Sequence, residues 1–329
     1  MITLERNDVR SNAQLSRIAV MGSIGTIFIV AIGWWCGFLG GGESLEVDFR
    51  DVVVADDNSA ADGPGSTLRV AVAAMISPKP TQKYYQDLLR LVGEKVGRKV
   101  VFSQRKTYAE VNDLLEHRVV DLAFVCSGPY VTGHDKFGME ILAVPVAYGE
   151  PVYYCYFLAG LDSDIESLDD FRGRTFAFTD PHSNTGCLVP KYVLAQRGYW
   201  PDSFFGETFF SHSHDNSIKA VAEGLADGAA IDQLIWDFMD ATDPTYTRRT
   251  KIIEKSAPYG IPPVVVHPNL DQDLKRRLRE SFLSLHEEER GSILLGELHI
   301  DRFERGDDTM YDSVRQMQRW MTENAEQAK

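Results

Sequence analysis

The chain has 329 residues, of which 44% are apolar and 25% charged, a globular composition long enough for two domains. Its 34 Lys and Arg against 48 Asp and Glu give a formal charge of −14, which argues against a nucleic-acid partner because binding to the phosphate backbone needs a basic surface. Four cysteines without a Cys-x-x-Cys pair exclude a disulfide scaffold and a zinc ribbon.

An apolar segment near the N-terminus predicts a membrane anchor. Residues 18–39 form a run of 22 residues without a charged side chain, about 33 Å long as a helix, which matches a hydrocarbon core of about 30 Å. Arg6, Arg10 and Arg17 precede this run, and an acidic segment follows it. Because positive residues favour the cytoplasmic side, residues 1–17 are expected in the cytoplasm and the rest outside it.

A cleaved signal peptide is the alternative interpretation of the same segment. Signal peptides have an apolar region of about 7–15 residues before a small-x-small cleavage site. Here the run is longer, although Gly40 and Gly42 could form a weak site. Under either interpretation most of the chain leaves the cytoplasm. We expect a single-pass protein of the bacterial inner membrane with its main domain on the periplasmic side.

Beyond the apolar run, the chain changes from a linker to a folded pattern. Residues 40–66 are acidic and rich in small residues, which predicts a flexible linker. From Thr67 onward, short apolar runs alternate with amphipathic helical patterns. Strands are predicted at 68–75, 99–102 and 120–126, and helices at 81–96 and 108–118. This alternation predicts a parallel sheet covered by helices, with a ligand crevice at the carboxyl ends of the strands.

A second strand–helix series follows an aromatic strand predicted at 152–160. Its elements are helices at 187–197 and 215–226 and strands at 209–213 and 229–232. Residues 251–256 and 262–267 are predicted to return as strands, and 271–324 to be helical without a strand. The predicted organisation is two α/β lobes, with lobe 1 at 67–159 and 249–329 and lobe 2 inserted at 160–248.

Residues 179–190 contain the first candidate ligand site. A strand ends here, and Ser183, Asn184, Thr185 and Gly186 precede a helix. Such a loop points backbone N–H groups and hydroxyls at one place beside the positive end of the helix, which can bind an oxyanion without Lys or Arg. The alternative is an ordinary capped turn.

The second candidate is another junction between a strand and a helix. His212 and His214 flank Ser213, and Asp215 follows. No further His, Cys or Glu stands at ligand spacing nearby, and zinc needs at least three protein ligands, so no metal is expected. Ser213 and His214 could instead donate hydrogen bonds to an anion, or Asp215 could cap the helix beside surface histidines.

Asp232 is the third candidate, because it ends the strand predicted at 229–232. A carboxylate there would accept a hydrogen bond from a ligand ammonium or from a protonated phosphoryl oxygen, or it would serve only as a helix N-cap. Ser77, Tyr108, Ser127 and Tyr130 follow strands of the first lobe. Hydroxyl and aromatic donors suit a small polar ligand, although tyrosine is also common packing material.

Taken in order, these segments resemble a known family. The stretches 121–130, 167–173, 176–186, 213–221 and 230–232 resemble the phosphate-, phosphite- or phosphonate-binding receptors of ABC transporters, the PhnD-like type II periplasmic binding proteins. The resemblance covers roughly 67–316. It implies a two-lobed type II fold, each lobe a mixed, mostly parallel sheet flanked by helices, with a phosphoryl or phosphonyl group held by residues 183–185 and by His214.

The function implied is capture of a small phosphorus oxyanion by closure of the lobes, followed by delivery to an ABC permease. We expect a monomeric binding protein without a cofactor, and not an enzyme. A membrane-anchored sensor that feeds a kinase or a cyclase is the alternative. A hydrolase with His214 as base, oriented by Asp232 or Asp215, is a third hypothesis, but the sequence contains no nucleophile elbow or complete triad.

Overall fold

A computed structural model of the protein describes residues 67–324, without the side chains of residues 78–81. The predicted cytoplasmic segment 1–17, anchor 18–39 and linker 40–66 lie outside the described residues. Within the described part, no helix is both long and apolar enough to cross a membrane.

Six strands form the first sheet. At its centre β1 (Thr67–Ala73) pairs in parallel with β2 (Lys99–Arg105) and β3 (Leu122–Phe124), and the remaining strands add antiparallel ladders. Because β3 lies between two other strands, all three of its side chains are buried. In spatial order the strands are β13 (Ile300–Glu304), β4 (Glu140–Ala147), β12 (Val264–Val266), β3 (Leu122–Phe124), β1 (Thr67–Ala73) and β2 (Lys99–Arg105).

Helices cover this sheet, as the alternating pattern predicts. The second helix begins with a capping box, in which Thr107 and Glu110 satisfy each other's backbone N–H groups. One apolar face of the sheet packs against a cluster that includes Leu88, Leu278 and Phe282. The helices are α1 (Pro78–Val96), α2 (Tyr108–Glu116), α3 (Ser127–Phe137), α8 (Gln272–Leu283) and α9 (Glu289–Glu297).

Five strands form the second sheet, with two parallel and two antiparallel ladders. The prediction that each sheet is mostly parallel is therefore wrong, because returning segments of the chain add antiparallel strands to both sheets. In spatial order the strands of the second sheet are β10 (Thr250–Lys255), β6 (Cys155–Gly160), β9 (Gly228–Asp232), β7 (Thr175–Phe178) and β8 (Glu207–Phe210). Its helices are α4 (Val189–Gln196), α5 (Pro201–Phe204), α6 (His214–Ala222) and α7 (Gln233–Thr242). The loops after β7, β8 and β9 therefore meet at one edge, the edge that faces the first sheet.

The chain crosses between the sheets through two very short strands. β5 (Val152–Tyr153) pairs antiparallel with β11 (Tyr259–Gly260). The strand predicted at 152–160 is thus divided at Tyr154, and its second half belongs to the second sheet. The second sheet spans 155–255, wider than the predicted insertion 160–248, because β6 and β10 form a ladder with each other and β6 is buried against β9.

The C-terminal region differs from the prediction of helices alone. Residues 300–304 form β13, which pairs antiparallel with β4. This is an edge strand in which Phe303 is buried while its neighbours are mostly exposed, and its charged residues hide the strand pattern in the sequence. The last helix, α10 (Asp312–Glu323), reaches both lobes: Trp320 packs edge-on against Tyr192 of α4, and Gln318 donates a hydrogen bond to the carbonyl of Gly128 in α3.

Candidate ligand-binding site

The loop predicted to bind an anion forms a wide turn that leads into a helix. After β7, residues Asn184–Leu188 form a π-helical turn that continues into α4. Ser183 caps this turn, because its Oγ accepts a hydrogen bond from the N–H of Gly186 at 3.0 Å. The helix predicted at 187–197 therefore starts at Val189. The residues predicted as a loop form the turn before it, with their first N–H groups directed out of the helix end.

Asn184 and Thr185 place buried polar atoms in the cleft. The Asn184 Nδ2 donates a hydrogen bond to the Tyr153 hydroxyl at 3.0 Å. Asn184 Oδ1 and Thr185 Oγ1 are fully buried, and no partner reaches either atom from residues 67–324. A buried polar atom without a partner costs about 1–3 kcal/mol. These two atoms therefore indicate where a ligand would supply hydrogen bonds.

Gly186 allows this turn to lie close to β7. A Cβ at this position would overlap the side chain of Thr179 and would come within 3.0 Å of Ser183 Oγ. Thr179 is itself buried and lies next to His214. A side chain at Gly186 would therefore disturb both halves of the site.

His214 is the first residue of α6 and is fully buried. Its Nδ1 accepts a hydrogen bond from the N–H of Asp232 at 3.0 Å. Burial lowers the pKa of His214 to about 3. The ring is therefore neutral at pH 7, and because Nδ1 is an acceptor, its single proton is assigned to Nε2. No group in the described chain bonds Nε2, which leaves a neutral N–H donor for a ligand.

Asp232 ends β9 and also caps α7, since its Oδ1 accepts a hydrogen bond from the N–H of Leu234 at 2.8 Å. Burial raises the pKa of Asp232 to about 7, although the hydrogen bond from Leu234 acts in the opposite direction. Burial, and to a lesser degree the charge of Asp232, raises the pKa of both Tyr108 and Tyr153. The carboxyl group is thus a helix cap that also faces the cleft.

Tyr108 is the candidate of the first lobe whose hydroxyl lies in the cleft. The side chain is fully buried, and Ser183 lies beside its hydroxyl. The hydroxyls of two other candidates are bonded within the protein. Ser127 donates to the carbonyl of Gly260 in β11 at 2.6 Å, and Tyr130 donates to Asp308 at 2.8 Å. Ser127 therefore binds one of the crossing strands, and Tyr130 binds the C-terminal region.

Ser77 contacts the second lobe through Asp215. The N–H and the hydroxyl of Ser77 donate hydrogen bonds to the two carboxylate oxygens of Asp215 at 2.9 and 2.6 Å. Burial acts to raise the pKa of Asp215, but the charge of Lys219 and hydrogen bonds from Ser77 and Ser213 hold it below its usual value. Beside this contact, the N–H of His214 donates to the carbonyl of Met75 at 3.0 Å.

The lobes also meet closely around the wide turn. The N–H of Tyr108 donates a hydrogen bond to Asp180 at 3.2 Å. Gly128 lies so close to the second lobe that a Cβ would be 2.7 Å from the carbonyl oxygen of His182. Together with the contacts of Ser77, these interactions show two lobes closed on each other. The sequence analysis did not identify Gly128 or Asp180 as part of the site.

Within residues 67–324, no three His, Cys, Asp or Glu side chains lie close enough together to hold a metal ion. The Nδ1 of His214 is already occupied by the N–H of Asp232. The candidate residues instead carry hydroxyl, amide and imidazole groups, and they lie at the beginnings of two helices.

The structure thus has two α/β lobes closed on each other, as expected for the type II fold. Residues 70–311 match the family model described as ABC transporter, phosphonate, periplasmic substrate-binding protein. The chain belongs to this family. The predicted family, the two-lobed fold and the expectation of a binding protein rather than an enzyme are confirmed.

Two curated relatives are similar over part of their length. The phosphate-import protein PhnD of Mycolicibacterium smegmatis is 30% identical over 191 residues, which are 54% of this chain and 59% of the relative. The phosphonates-binding periplasmic protein of Escherichia coli K12 is 24% identical over 255 residues, 76% of this chain and 75% of the relative.

Solved structures support the same fold. A binding-protein component of an ABC phosphonate transporter from Pseudomonas aeruginosa superposes with a TM-score of 0.76 at 26% identity, covering 80% of this chain and 89% of that one. PhnD1 of Prochlorococcus marinus, solved in complex with methylphosphonate, superposes with a TM-score of 0.72. Its identity is 17%, and it covers 78% of this chain and 98% of the other, so this likeness concerns the fold alone.

Proposed function

We propose that the protein captures a small phosphorus oxyanion, a phosphonate, phosphite or phosphate, between its lobes and delivers it to an ABC permease. The observation that carries this proposal is that His214 Nε2, Thr185 Oγ1 and Asn184 Oδ1 are all buried without a partner in the described chain. Thr179 joins the two segments that hold them, since its N–H donates to the carbonyl of Gly186 and its hydroxyl contacts Nδ1 of His214. An oxyanion would accept hydrogen bonds from His214 Nε2 and Thr185 Oγ1, and a protonated ligand oxygen would donate to Asn184 Oδ1. We further propose that Ser213 provides its backbone N–H group at the beginning of α6, and that Gly186, whose N–H already donates to Ser183 Oγ, acts by letting the wide turn lie close to β7.

Asp232 gives the site a group that can share a proton with the ligand. Its pKa of about 7 leaves the carboxyl partly protonated near neutral pH. A protonated carboxyl donates a hydrogen bond to a phosphoryl oxygen, whereas a carboxylate accepts one from a protonated oxygen. In both states a single proton lies between the two acids, so a buried repulsion between two anions is avoided.

Closure of the lobes is proposed to couple binding to delivery. The two short crossing strands β5 and β11 are proposed as the hinge. Tyr108 from the first lobe and His214 from the second reach the same ligand only when the lobes are shut. Ser77, Ser127 and Tyr130 are proposed to support closure rather than to touch the ligand. A ligand that contacts both lobes stabilises the closed state by its differential affinity for that state.

The cellular arrangement is proposed from the sequence and the family. We propose that residues 18–39 span the inner membrane, with 1–17 in the cytoplasm, 40–66 as a tether, and the binding domain as a monomer outside. Such an anchor would also suit a sensor that signals to a kinase or a cyclase. Co-purification of the full-length chain from membranes distinguishes the two, since a permease partner supports transport and a signalling enzyme supports the sensor.

Catalysis by His214 is disfavoured by its environment. A general base needs a free nitrogen and a pKa near the working pH. Here Nδ1 accepts a hydrogen bond from the N–H of Asp232, and the pKa is about 3. The geometry supports a donor that binds an anion better than it supports a base.

Calorimetry on the full-length chain in detergent tests the proposal, with phosphate, phosphite, methylphosphonate and 2-aminoethylphosphonate as ligands. We expect at least one of them to bind. His214→Phe removes the Nε2–H donor and should weaken binding about 10- to 150-fold, because a hydrogen bond to a charged group is worth about 1.5–3 kcal/mol. The exposed His286 provides the matched control, His286→Phe, which should bind as the unmodified chain does. Absence of binding to all four ligands would refute the proposal.

A further inference from the structure

Thr179 connects three segments of the proposed anion site. It directly follows β7 and is fully buried. Its N–H donates to the carbonyl of Gly186 at 3.0 Å, and its own carbonyl accepts from the N–H of His212 at 2.8 Å. Its hydroxyl lies 3.2 Å from Nδ1 of His214. The backbone of Thr179 therefore fixes the wide turn and the segment before α6, while its side chain contacts the His214 ring.

Two serines decide the direction in which the Thr179 hydroxyl donates. The hydroxyl of Ser211 donates to the carbonyl of Ser213 at 2.9 Å. Because a hydroxyl carries one proton, the 2.6 Å contact between Ser211 and Ser217 is donated by Ser217. Ser217 then has no proton left for Thr179 Oγ1, which lies 3.3 Å away, and it can only accept there. Thr179 is therefore a donor in this network.

The Thr179 proton has three acceptors within reach, and Nδ1 of His214 is the nearest. Nδ1 lies at 3.2 Å, Ser217 Oγ at 3.3 Å and the carbonyl oxygen of Ala230 at 3.5 Å. Since an imidazole takes up a proton near pH 6.5 in water, its nitrogen is also the strongest base of the three. Nδ1 thus accepts from the Thr179 hydroxyl as well as from the N–H of Asp232 at 3.0 Å.

The contacts at Nδ1 affect the other nitrogen of the His214 ring. Two donors at Nδ1 exclude a proton on that atom, so the proton of the neutral ring stays on Nε2. Hydrogen bonds in series polarise one another by about 10–30% per bond, so donation to Nδ1 makes the Nε2–H a stronger donor. The same contacts hold the ring in one orientation, in which Nε2 is buried and has no partner in residues 67–324.

We propose that Thr179 is a positioning residue for anion binding: its hydroxyl holds the His214 ring as the Nε2–H tautomer and strengthens that N–H as a donor to the ligand. This inference rests on the proposed function, because it needs an anion that accepts from Nε2. Thr179 acts through His214. Ser211 and Ser217 direct their protons away from Thr179 and so allow its hydroxyl to donate.

Thr179→Val tests this role with little change of shape. It removes the hydroxyl and leaves no donor unpaired, because Thr179 Oγ1 receives no proton in this network. Calorimetry of the full-length chain uses whichever of phosphate, phosphite, methylphosphonate and 2-aminoethylphosphonate binds the unmodified protein. The Kd should rise about 2- to 10-fold, within the value of one ordinary hydrogen bond. Thr179→Ser keeps the hydroxyl and should restore most of the affinity. The matched control is Thr208→Val, at an exposed threonine of the neighbouring strand β8, which should bind as the unmodified chain does.

Nitrogen NMR of the ligand-free chain measures the contact independently of binding. With isotope-labelled histidine, the signals of His214 are assigned by their loss in His214→Phe. In Thr179→Val, the Nδ1 signal should move toward that of a less hydrogen-bonded imidazole nitrogen, and it should return in Thr179→Ser. Ser217→Ala removes a competing acceptor of the Thr179 proton, so the Nδ1 signal should move in the opposite direction and binding should be no weaker.

Unchanged affinity in Thr179→Val, or an Nδ1 signal that does not move, would overturn the positioning role and leave the proposed function standing. A loss of affinity in Ser217→Ala equal to that in Thr179→Val would also overturn it, because the hydroxyls would then matter only for packing. If Thr179→Val does not fold, the Nδ1 signal of Ser217→Ala decides: the stated shift supports the role, and an unchanged signal refutes it. Failure of the unmodified chain to bind any of the four compounds would overturn both proposals.

Discussion

At Gly128, adding one methyl group should hinder closure of the lobes without lowering the stability of the fold. It lies in the first turn of α3, in the first lobe, and faces the turn that begins the anion site in the second. A Cβ there would lie 2.7 Å from the carbonyl oxygen of His182 and 3.4 Å from the amide nitrogen of Asn184. Both are backbone atoms, so no change of side-chain rotamer can relieve the overlap. Gly128→Ala should therefore obstruct the closed state while each lobe keeps its own packing.

The size of the effect follows from the cost of overpacking. Adding a methyl group to a close contact costs about 1–3 kcal/mol, which corresponds to about a 5- to 150-fold change in an equilibrium constant. If the ligand is held only by the closed state, its apparent Kd rises by the same factor. Stability should not fall, because alanine is favoured over glycine in a helix by up to about 1 kcal/mol, less in the first turn.

Calorimetric Kd values and urea denaturation of the full-length chain provide the assay. We expect weaker ligand binding by Gly128→Ala at unchanged or slightly higher stability. Gly296→Ala is the matched control, because Gly296 is also helical and a Cβ there would meet no atom within 4 Å. Wild-type affinity in Gly128→Ala would refute the inference that this contact forms in the ligand-bound state. A loss of stability comparable to the loss of affinity would show that the methyl group damages one lobe rather than closure.

Three further experiments probe the site. In a double-mutant cycle of Ser77→Ala and Asp215→Asn, we expect a coupling of about 1–3 kcal/mol in ligand affinity, because the hydroxyl donates to a buried carboxylate at 2.6 Å across the lobes. Gly186→Ala should abolish binding and lower the unfolding midpoint, because the new Cβ would overlap a buried side chain. Urea denaturation between pH 4 and 6.5 should show stability rising with pH in Asp232→Asn and falling with pH in His214→Gln, relative to the unmodified chain.

The signs of the pH effect follow from linkage. The pKa of His214 is lowered to about 3 in the folded chain, so its unfolded form binds a proton first and stability is lost as pH falls below about 6.5. The pKa of Asp232 is raised to about 7, so its folded form holds the proton and stability is lost as pH rises from about 4 to 7. The free energy of unfolding changes by at most about 1.4 kcal/mol per pH unit for each group. Removing one group leaves the pH dependence of the other visible. Parallel pH profiles for both variants would contradict the opposite pKa shifts of His214 and Asp232. Additive effects in the double-mutant cycle would contradict a role of the contact between Ser77 and Asp215 in ligand binding.

The sequence indicated the location of the site because topology determines it. Strands β7, β8 and β9 end at one edge of a sheet, so the residues that follow them had to converge. Asn184, His214 and Asp232 are brought together in this way, and periodicity with turn chemistry was enough to find them. Whether each of them binds the ligand remains a prediction that the variants test.

The orientation of first-lobe hydroxyls could not be predicted in the same way. Ser127 and Tyr130 follow a strand of the first sheet, yet their hydroxyls bond to Gly260 and Asp308, residues more than 130 positions away in the chain. Such partners depend on the packing of both lobes and of the C-terminal helix. The closeness of Gly128 to the second lobe is a similar case. The one signal available was a glycine directly after a buried strand, which is consistent with a close backbone approach but does not name the partner.

A chain with a formal charge of −14 can hold an anion because the candidate site uses uncharged donors. The two titratable groups at its centre depart from their solution pKa values in opposite directions: His214 gives up its proton, and Asp232 tends to keep one. Near neutral pH His214 therefore adds no charge, and Asp232 is only partly ionised. In the proposed complex, two helix beginnings would face the charge of the ligand with their positive ends. Acidic residues elsewhere are screened over about 8 Å, so they are expected to slow the approach of an anion more than they weaken the bound complex.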